Sequence, residues 1–360
     1  MKQKVVIVTI NISYNIGNKL QNYALKKTLE NLGYRVCTLK NIYNLTSKKE
    51  KVLKKLSPTA LLAIYRLKRV LGFDKLESQR MIEYVKFDKK LGNKYYSKHA
   101  LKSLSKKISA FVAGSDQVWN FDFKINDMYI NMLGFCSDGA KKISYAASIG
   151  MKQFSDVQAE TVKKYLPSFD FLSVRENDAK ELIEPLCGKE VKVVLDPTLL
   201  LDTSEWDKIA IQPKWYDGKD YALLYFLGEK DENFSKLTAE LENDKGLKII
   251  DPLDKNSPSY QCGPAQFVYL VKHAKCVVTD SYHATVFSVL YQKPISVLTG
   301  KGERAKMSGR FETLKENLGL DGIFDCYDAD KMFDVSYDNI QDKLKEARLA
   351  SLAFIRDGLK

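Results

Sequence analysis

The apolar positions of this chain fall into short runs rich in β-branched residues, each followed by a stretch with apolar residues three or four apart. Residues 4–10 form the first run and predict a strand. A loop carrying Asn15-Ile16-Gly17-Asn18 then leads to a helix over 18–32, with Leu25, Leu29 and Leu32 on one face and Gly33 as its C-terminal stop. Further strands are predicted at 34–39, 108–113, 142–147, 170–174 and 192–195, and in the second half at 221–227, 247–250, 274–278 and 294–298. Between the later ones, helices are predicted at 233–243, 264–273, from 282 onward, up to Gly319, and over 338–359. Strands alternating with helices specify an α/β fold built on parallel sheets.

A chain of 360 residues exceeds the size at which single cores stop growing, so two domains are expected. The polar, irregular segment 202–218 is the predicted boundary. Residues 1–200 then form a Rossmann-like domain with a basic helical insertion near 45–105, and residues 201–337 a second one. Residues 338–360 form a C-terminal helix that packs back across the junction.

In such sheets the carboxyl ends of the strands face the ligand crevice. Five strand ends carry polar chemistry. Asn15, Asn18, Gln21 and Asn22 follow the first strand; as neutral hydrogen-bonding groups they suit sugar hydroxyls or a carboxylate, or serve as turn and cap residues. With one glycine and no G-x-G-x-x-G, this loop does not support a dinucleotide. Gly114-Ser115-Asp116-Gln117-Val118-Trp119-Asn120 ends another strand, and Ser148-Ile149-Gly150 a third. Arg175-Glu176 ends a fourth; Arg175 is either a bidentate anion clamp or half of a surface pair. The fifth is Thr279-Asp280-Ser281-Tyr282-His283, where Asp280, Ser281 and Thr285 can cap the next helix and its N-terminus suits an anion. His283 is one of three histidines and stands where a parallel sheet places its chemistry.

Charge and cysteines narrow the picture. The net charge is +12, and its densest cluster, residues 47–72, pairs many lysines and arginines with apolar residues at helical spacing. It reads either as a solvated helical face or as a helix lying on an anionic leaflet. No nucleic-acid-binding signature accompanies the charge, so no nucleic-acid partner is expected. Six single cysteines without a C-x-x-C pair indicate neither a disulfide framework nor a zinc site, and no metal ligand set is evident. No apolar run approaches the length of about 18 residues that marks a membrane span, and no secretory signal opens the chain, so a cytoplasmic protein is expected.

Five blocks in order resemble the polysaccharide pyruvyl transferase family: residues 15–25, 114–120, 144–150, 173–176 and 278–283. The resemblance implies a fold similar to two-domain GT-B glycosyltransferases, with two Rossmann-like domains facing a cleft, the first on the acceptor side and the second on the donor side. It also implies transfer of the enolpyruvyl unit of phosphoenolpyruvate to a sugar of a surface polysaccharide precursor, forming a ketal and releasing phosphate. Phosphoenolpyruvate is then a donor substrate and no cofactor is expected. A lipid-linked acceptor places the protein at the inner face of the plasma membrane. The alternative on the same fold is a glycosyltransferase using a nucleotide-activated sugar.

On this reading His283 is the general acid and Asp116 or Glu176 the base. Asn18, Gln21, Ser115, Gln117, Arg175, Asp280, Ser281, Tyr282 and Arg310 are the expected substrate-binding residues. Some family members carry Arg-Leu-His where this chain has Ser281-Tyr282-His283. The work of that arginine falls here to Arg175, Arg310 or a lysine; Arg304, Lys306, Ser308 and Arg310 lie in a predicted basic loop at 301–310.

Overall fold

The computed structural model describes residues 2–10, 14–40, 52, 55–124, 126–137, 139–298 and 309–360. Of the expected basic loop only Gly309 and Arg310 are among them; Arg304, Lys306 and Ser308 lie outside the described residues, as do Lys48, Lys49, Lys51 and Lys54. The chain divides into two compact units. Unit 1 is Met1–Pro58, Asp88–Leu200 and Glu346–Lys360; unit 2 is Thr59–Phe87 and Leu201–Lys345.

Besides short 3-10 turns, the first half of the chain carries β1 (Lys4–Val8), α1 (Ile16–Asn31), β2 (Arg35–Leu39), α2 (Pro58–Val70), α3 (Lys75–Leu91), α4 (Lys98–Ser105), β3 (Ala110–Ala113), α5 (Met128–Asn131), β4 (Lys141–Ser144), α6 (Asp156–Tyr165), β5 (Leu172–Val174), α7 (Asn177–Cys187) and β6 (Val191–Val193). The second half carries α8 (Thr203–Asp207), β7 (Tyr221–Tyr225), α9 (Glu232–Asn243), β8 (Lys248–Ile250), α10 (Pro264–His273), β9 (Cys276–Thr279), α11 (Tyr282–Leu290), β10 (Ile295–Val297), α12 (Gly309–Leu318), α13 (Ala329–Phe333) and α14 (Asp338–Leu359).

In unit 1 four parallel strands run in the order β2-β1-β3-β4. Isolated bridges from Ile143 to Phe171 and from Ala147 to Val174 carry the ladder on to β5, which pairs with β6. Val5, Val6, Ile7 and Val8 of β1 are fully buried. A central parallel strand is covered on both faces, which is why its sequence is an unbroken apolar run rather than an alternating one. Helix α1 starts where Asn15, in extended conformation, accepts a hydrogen bond from the Asn18 amide. It stops at Leu32, after which Gly33 takes φ +97° and the Tyr34 amide closes on the Leu29 carbonyl.

Unit 2 holds a second parallel sheet, ordered β10-β9-β7-β8. Both sheets therefore grow in two directions from their first strand: β1 lies between β2 and β3, and β7 between β8 and β9. That reversal of strand order opens a crevice at the carboxyl ends of the diverging strands.

Several strands are shorter than the apolar pattern predicts, because residues at their carboxyl ends leave the ladder. β4 stops at Ser144, with Ala146 at φ +51° just beyond it. β1 stops at Val8, and the Thr9 hydroxyl reaches across to the Ser115 carbonyl at 2.8 Å. The placement of the helical insertion also differs from expectation. Residues 59–87 group with unit 2, not with the first domain. On α3 the buried Arg80 donates to the carbonyls of Pro252 (2.8 Å) and Tyr260 (3.1 Å), while Glu83 accepts from Gln266 at 2.9 Å. Of α14, residues 338–345 belong to unit 2 and 346–359 to unit 1. Among the described residues no helix is long and apolar enough to cross a membrane.

Candidate active site

At the carboxyl edge of the unit 1 sheet, the residues following β1, β3, β5 and β6 form a buried polar network. Gln21 donates to the Thr9 hydroxyl at 3.2 Å, and Asn18 donates its side-chain amide to the Ile10 carbonyl (2.6 Å) and to Asp116 Oδ2 (3.1 Å). Asp196 is the hub of the deeper half. Its Oδ2 accepts from Ser115 (3.1 Å) and from Arg175 Nη1 (2.9 Å), and its Oδ1 accepts from the amide and hydroxyl of Thr198 at 2.9 and 2.7 Å. Arg175 Nε is taken by Glu176 at 2.9 Å. All these side chains except Asp116 are buried. A buried charge is tolerable only when opposed and hydrogen-bonded, and here one guanidinium is shared by two carboxylates.

Asp116 is the half-buried member and is held in a costly conformation. Its φ is +71°, which for a non-glycine residue costs on the order of 1 kcal/mol. Three backbone contacts fix it: its carbonyl accepts from the amides of Val118 (2.6 Å) and Ser148 (3.0 Å), and its Oδ1 from the Gln117 amide (2.9 Å). Gln117 is buried and accepts from Asn120 at 3.1 Å. Behind it Gly150 has φ +66°, and a Cβ there would stand 2.6 Å from the Gln117 amide nitrogen. At that φ any side chain is strained, and its Cβ would press on the side-chain amides of Gln117 and Asn120.

The unit 2 cluster sits at the other switch point, between β7 and β9. Asp280 Oδ1 accepts from the Leu227 amide at 2.7 Å, and the Thr279 hydroxyl donates to the Tyr225 carbonyl at 2.6 Å. The ends of β7 and β9 are thereby tied together. The expectation that Asp280, Ser281 and Thr285 cap the following helix is corrected by these bonds: Ser281 is the N-cap residue but makes no side-chain cap, and Thr285 donates back to the Ser281 carbonyl at 3.1 Å. Asp280 reaches back to the end of β7. The first turn of α11 presents Tyr282, buried, and His283, half-buried, with ring centroids 5.5 Å apart edge to face. Arg310, at the start of α12, places its guanidinium 5.7 Å from the Tyr282 ring centroid and 5.4 Å from that of Phe311.

The structure thus brings Asn18, Gln21, Ser115, Asp116, Gln117, Arg175 and Glu176 into one cluster, and Asp280, Ser281, Tyr282, His283 and Arg310 into another. Asn18, Gln21 and Ser115 are interior residues behind Asp116, engaged with protein groups. Arg175 is no surface pair: it is buried between Glu176 and Asp196. Asp196 and Thr9 escaped the sequence reading. The signal for Asp196 was present, since it directly follows a strand run and precedes a proline, the same strand-end rule that singled out Arg175. Among the described residues no group of three or more histidine, cysteine or acidic side chains is placed to hold a metal ion.

The family model described as polysaccharide pyruvyl transferase matches residues 15–301. No curated protein matches the chain. Among solved structures, a UDP-GlcNAc 2-epimerase from Neisseria meningitidis is similar with a TM-score of 0.51 and 12% identity, covering 97% of this chain and 94% of that one. A UDP-N-acetylglucosamine 2-epimerase from Listeria monocytogenes gives 0.48 and 11%, over 98% and 91%. A UDP-GlcNAc 2-epimerase from Methanocaldococcus jannaschii gives 0.49 and 13%, over 93% of each. At 12% identity the likeness to the Neisseria protein is one of fold, and the fold is GT-B-like, α/β with parallel sheets.

Proposed function

The chain belongs to the polysaccharide pyruvyl transferase family, and from that premise we propose that it transfers the enolpyruvyl unit of phosphoenolpyruvate to two hydroxyls of a sugar, forming a pyruvate ketal. The observation that supports this most is the unit 2 cluster, in which a histidine opens a helix at a sheet switch point with an arginine over the adjoining tyrosine. Phosphoenolpyruvate carries a phosphate and a carboxylate, and a helix N-terminus with an arginine beside it matches both. In this reading Arg310 replaces the arginine that some family members carry beside the histidine. Arg175 does not, because Glu176 and Asp196 already occupy it and leave the trio with a formal charge of −1, unsuited to a trianionic donor.

In the first half of the chemistry, His283 protonates the methylene carbon and one sugar hydroxyl adds to the central carbon, losing its proton to a base. Then the C–O bond to phosphate breaks, the second hydroxyl adds at the same carbon, and its proton leaves with the phosphate. The proton left on the base returns to His283 through solvent, so both groups are restored, and the second hydroxyl's proton is the one carried off by the phosphate. Asp116 is the better base of the two candidates: it is half-buried, whereas Glu176 is interior and holds Arg175. We place the acceptor among lipid-linked sugars of a surface polysaccharide pathway.

The test is phosphate release from phosphoenolpyruvate over a panel of lipid-linked and nitrophenyl sugars, comparing wild type with His283→Ala. Release by wild type and its loss in the variant are expected. No release across the panel, with thermal stabilisation by a sugar nucleotide instead, sinks the ketal mechanism in favour of a glycosyltransferase.

A further inference from the structure

Helices α2 and α3 form a hairpin whose inner surface and tip differ sharply. The inner surface is satisfied: Leu62, Tyr65, Met81, Ile82 and Val85 pack as a cluster of their own, and Arg80 and Glu83 fasten α3 to other parts of unit 2. The tip is not. Leu67, Val70, Leu71 and Phe73 are 59%, 77%, 62% and 64% exposed, four large apolar side chains within seven residues. They belong to a closed turn rather than a frayed end. The amides of Leu71, Gly72 and Phe73 bond to the carbonyls of Leu67 (2.9 Å), Arg69 (3.2 Å) and Lys68 (3.0 Å), and the Ser78 hydroxyl bonds to the Phe73 carbonyl at 3.0 Å. Interspersed with them are Arg66, Lys68 and Arg69, all exposed and, among the described residues, in no ion pair; Arg69 donates to the neutral Gln79.

A soluble surface rarely gathers exposed apolar groups this densely, and such a patch marks an interaction site. Its chemistry selects the partner. Apolar side chains that can enter an acyl layer, ringed by basic groups at headgroup depth, are what an interfacial anchor requires, whereas a protein interface is depleted of lysine at its core. Asp74 and Glu77 are the acidic residues at the same end, outnumbered by Arg66, Lys68, Arg69 and Lys75. We propose that the tip of the α2–α3 hairpin is a docking surface for an anionic lipid bilayer, with Leu67, Val70, Leu71 and Phe73 entering the interface and Arg66, Lys68 and Arg69 meeting the headgroups. The site does not depend on the donor of the reaction.

The full chain is sedimented with vesicles of phosphatidylcholine alone or of phosphatidylcholine with phosphatidylglycerol, at low and high salt. Wild type is expected to pellet with the anionic vesicles and stay in the supernatant with the neutral ones. Replacing Leu67, Val70, Leu71 and Phe73 together by serine should cut the bound fraction by about tenfold or more at either salt, since buried apolar area sets the strength of an interfacial anchor. Replacing Arg66, Lys68 and Arg69 together by glutamine should remove the preference for anionic vesicles, because each basic group near the surface contributes electrostatic attraction. All seven side chains are exposed, and the contacts the variants lose, Arg69 to Gln79 and Lys68 over the Tyr65 ring, are solvent-facing, so both variants should melt close to wild type. Equal binding by the serine variant overturns the proposal, as does failure of wild type to bind anionic vesicles. Concentration-dependent dimerisation of wild type that the serine variant lacks, without vesicle binding, would assign the tip to a second copy of the chain and also overturn it.

Discussion

Arg175 Nη1 and Asp196 Oδ2 stand 2.9 Å apart with side chains 1% and 0% exposed, the most deeply buried ion pair among the described residues. Asp196 also holds Ser115 and Thr198, so one carboxylate joins the ends of β3, β5 and β6. Without Asp196 the guanidinium keeps Glu176, but its Nη1 and the buried hydroxyls of Ser115 and Thr198 lose their acceptor. Asp196→Ala should therefore cost about 3–5 kcal/mol of stability, the sum of several buried donors left unsatisfied, read as a lowered urea midpoint. Asp196→Asn keeps acceptors for Ser115 and Thr198 and should cost less. A loss for Asp196→Ala within about 1 kcal/mol of zero would mean that solvent reaches Arg175.

Asp280 ties strand ends together in unit 2 as Asp196 does in unit 1. Its carboxylate accepts the Leu227 amide, which joins the ends of β7 and β9 directly ahead of His283. Asp280→Ala leaves that amide without its acceptor and should cost about 1–3 kcal/mol. Because the turn that aims His283 is loosened as well, phosphate release should fall further than the stability loss explains. Asp280→Asn retains an acceptor oxygen and should restore most of the stability. Amide exchange at Leu227 checks the local cause: it should accelerate in the alanine variant and not in the asparagine one.

Much of this was legible in the chain, and the exceptions have physical reasons. Parallel strands buried on both faces announce themselves as apolar runs, so every predicted strand is present, though most are shorter than their runs. Strand ends are harder, because bonds such as Thr9 to the Ser115 carbonyl depend on a residue 106 positions away. Asp280 looks like a helix cap in sequence, since aspartate before a helix usually is one; only the topology that brings Leu227 beside it shows otherwise. Likewise an arginine after a strand reads as a ligand clamp until its two carboxylate partners, one of them 21 residues on, are seen. The grouping of residues 59–87 with unit 2 was invisible because it rests on contacts such as Arg80 with Pro252, 172 residues apart.

The cysteines give a prediction with a pH dependence. Burial pushes the thiols of Cys136, Cys262 and Cys276 up to about 12, and raises those of Cys37 and Cys187. All five are neutral at physiological pH, so a thiol-specific chromogenic reagent should find them slow in the native protein and all six cysteines fast after unfolding. Each folded pKa exceeds the unfolded value near 8.5, so the stabilisation is fully present below about pH 8.5 and is lost as pH rises toward the folded values. Melting temperature should accordingly be level near neutrality and fall through the alkaline range, by less in a Cys262→Ala variant. A melting temperature that rises between neutrality and that range would contradict these assignments.

The Tyr282 ring is a platform for the Arg310 guanidinium. A guanidinium over a tyrosine ring is oriented as well as attracted, and the contact is worth on the order of 0.5–2 kcal/mol. If Arg310 meets the donor while His283 carries the proton, the two should separate kinetically. Arg310→Gln should raise KM for phosphoenolpyruvate by about ten- to a hundredfold with a smaller effect on kcat, since a hydrogen bond to a charged group contributes about 1.5–3 kcal/mol. His283→Ala should instead lower kcat by about a hundredfold or more. Tyr282→Phe retains the ring and should resemble wild type, whereas Tyr282→Leu removes the platform and should follow Arg310→Gln in direction. Arg310→Lys keeps the charge but neither stacks nor forks, so it should recover only part of the affinity. If Arg310→Gln leaves KM unchanged while Arg175→Lys raises it, the anion clamp lies in unit 1 after all, and the pairing of Tyr282 with Arg310 is packing alone.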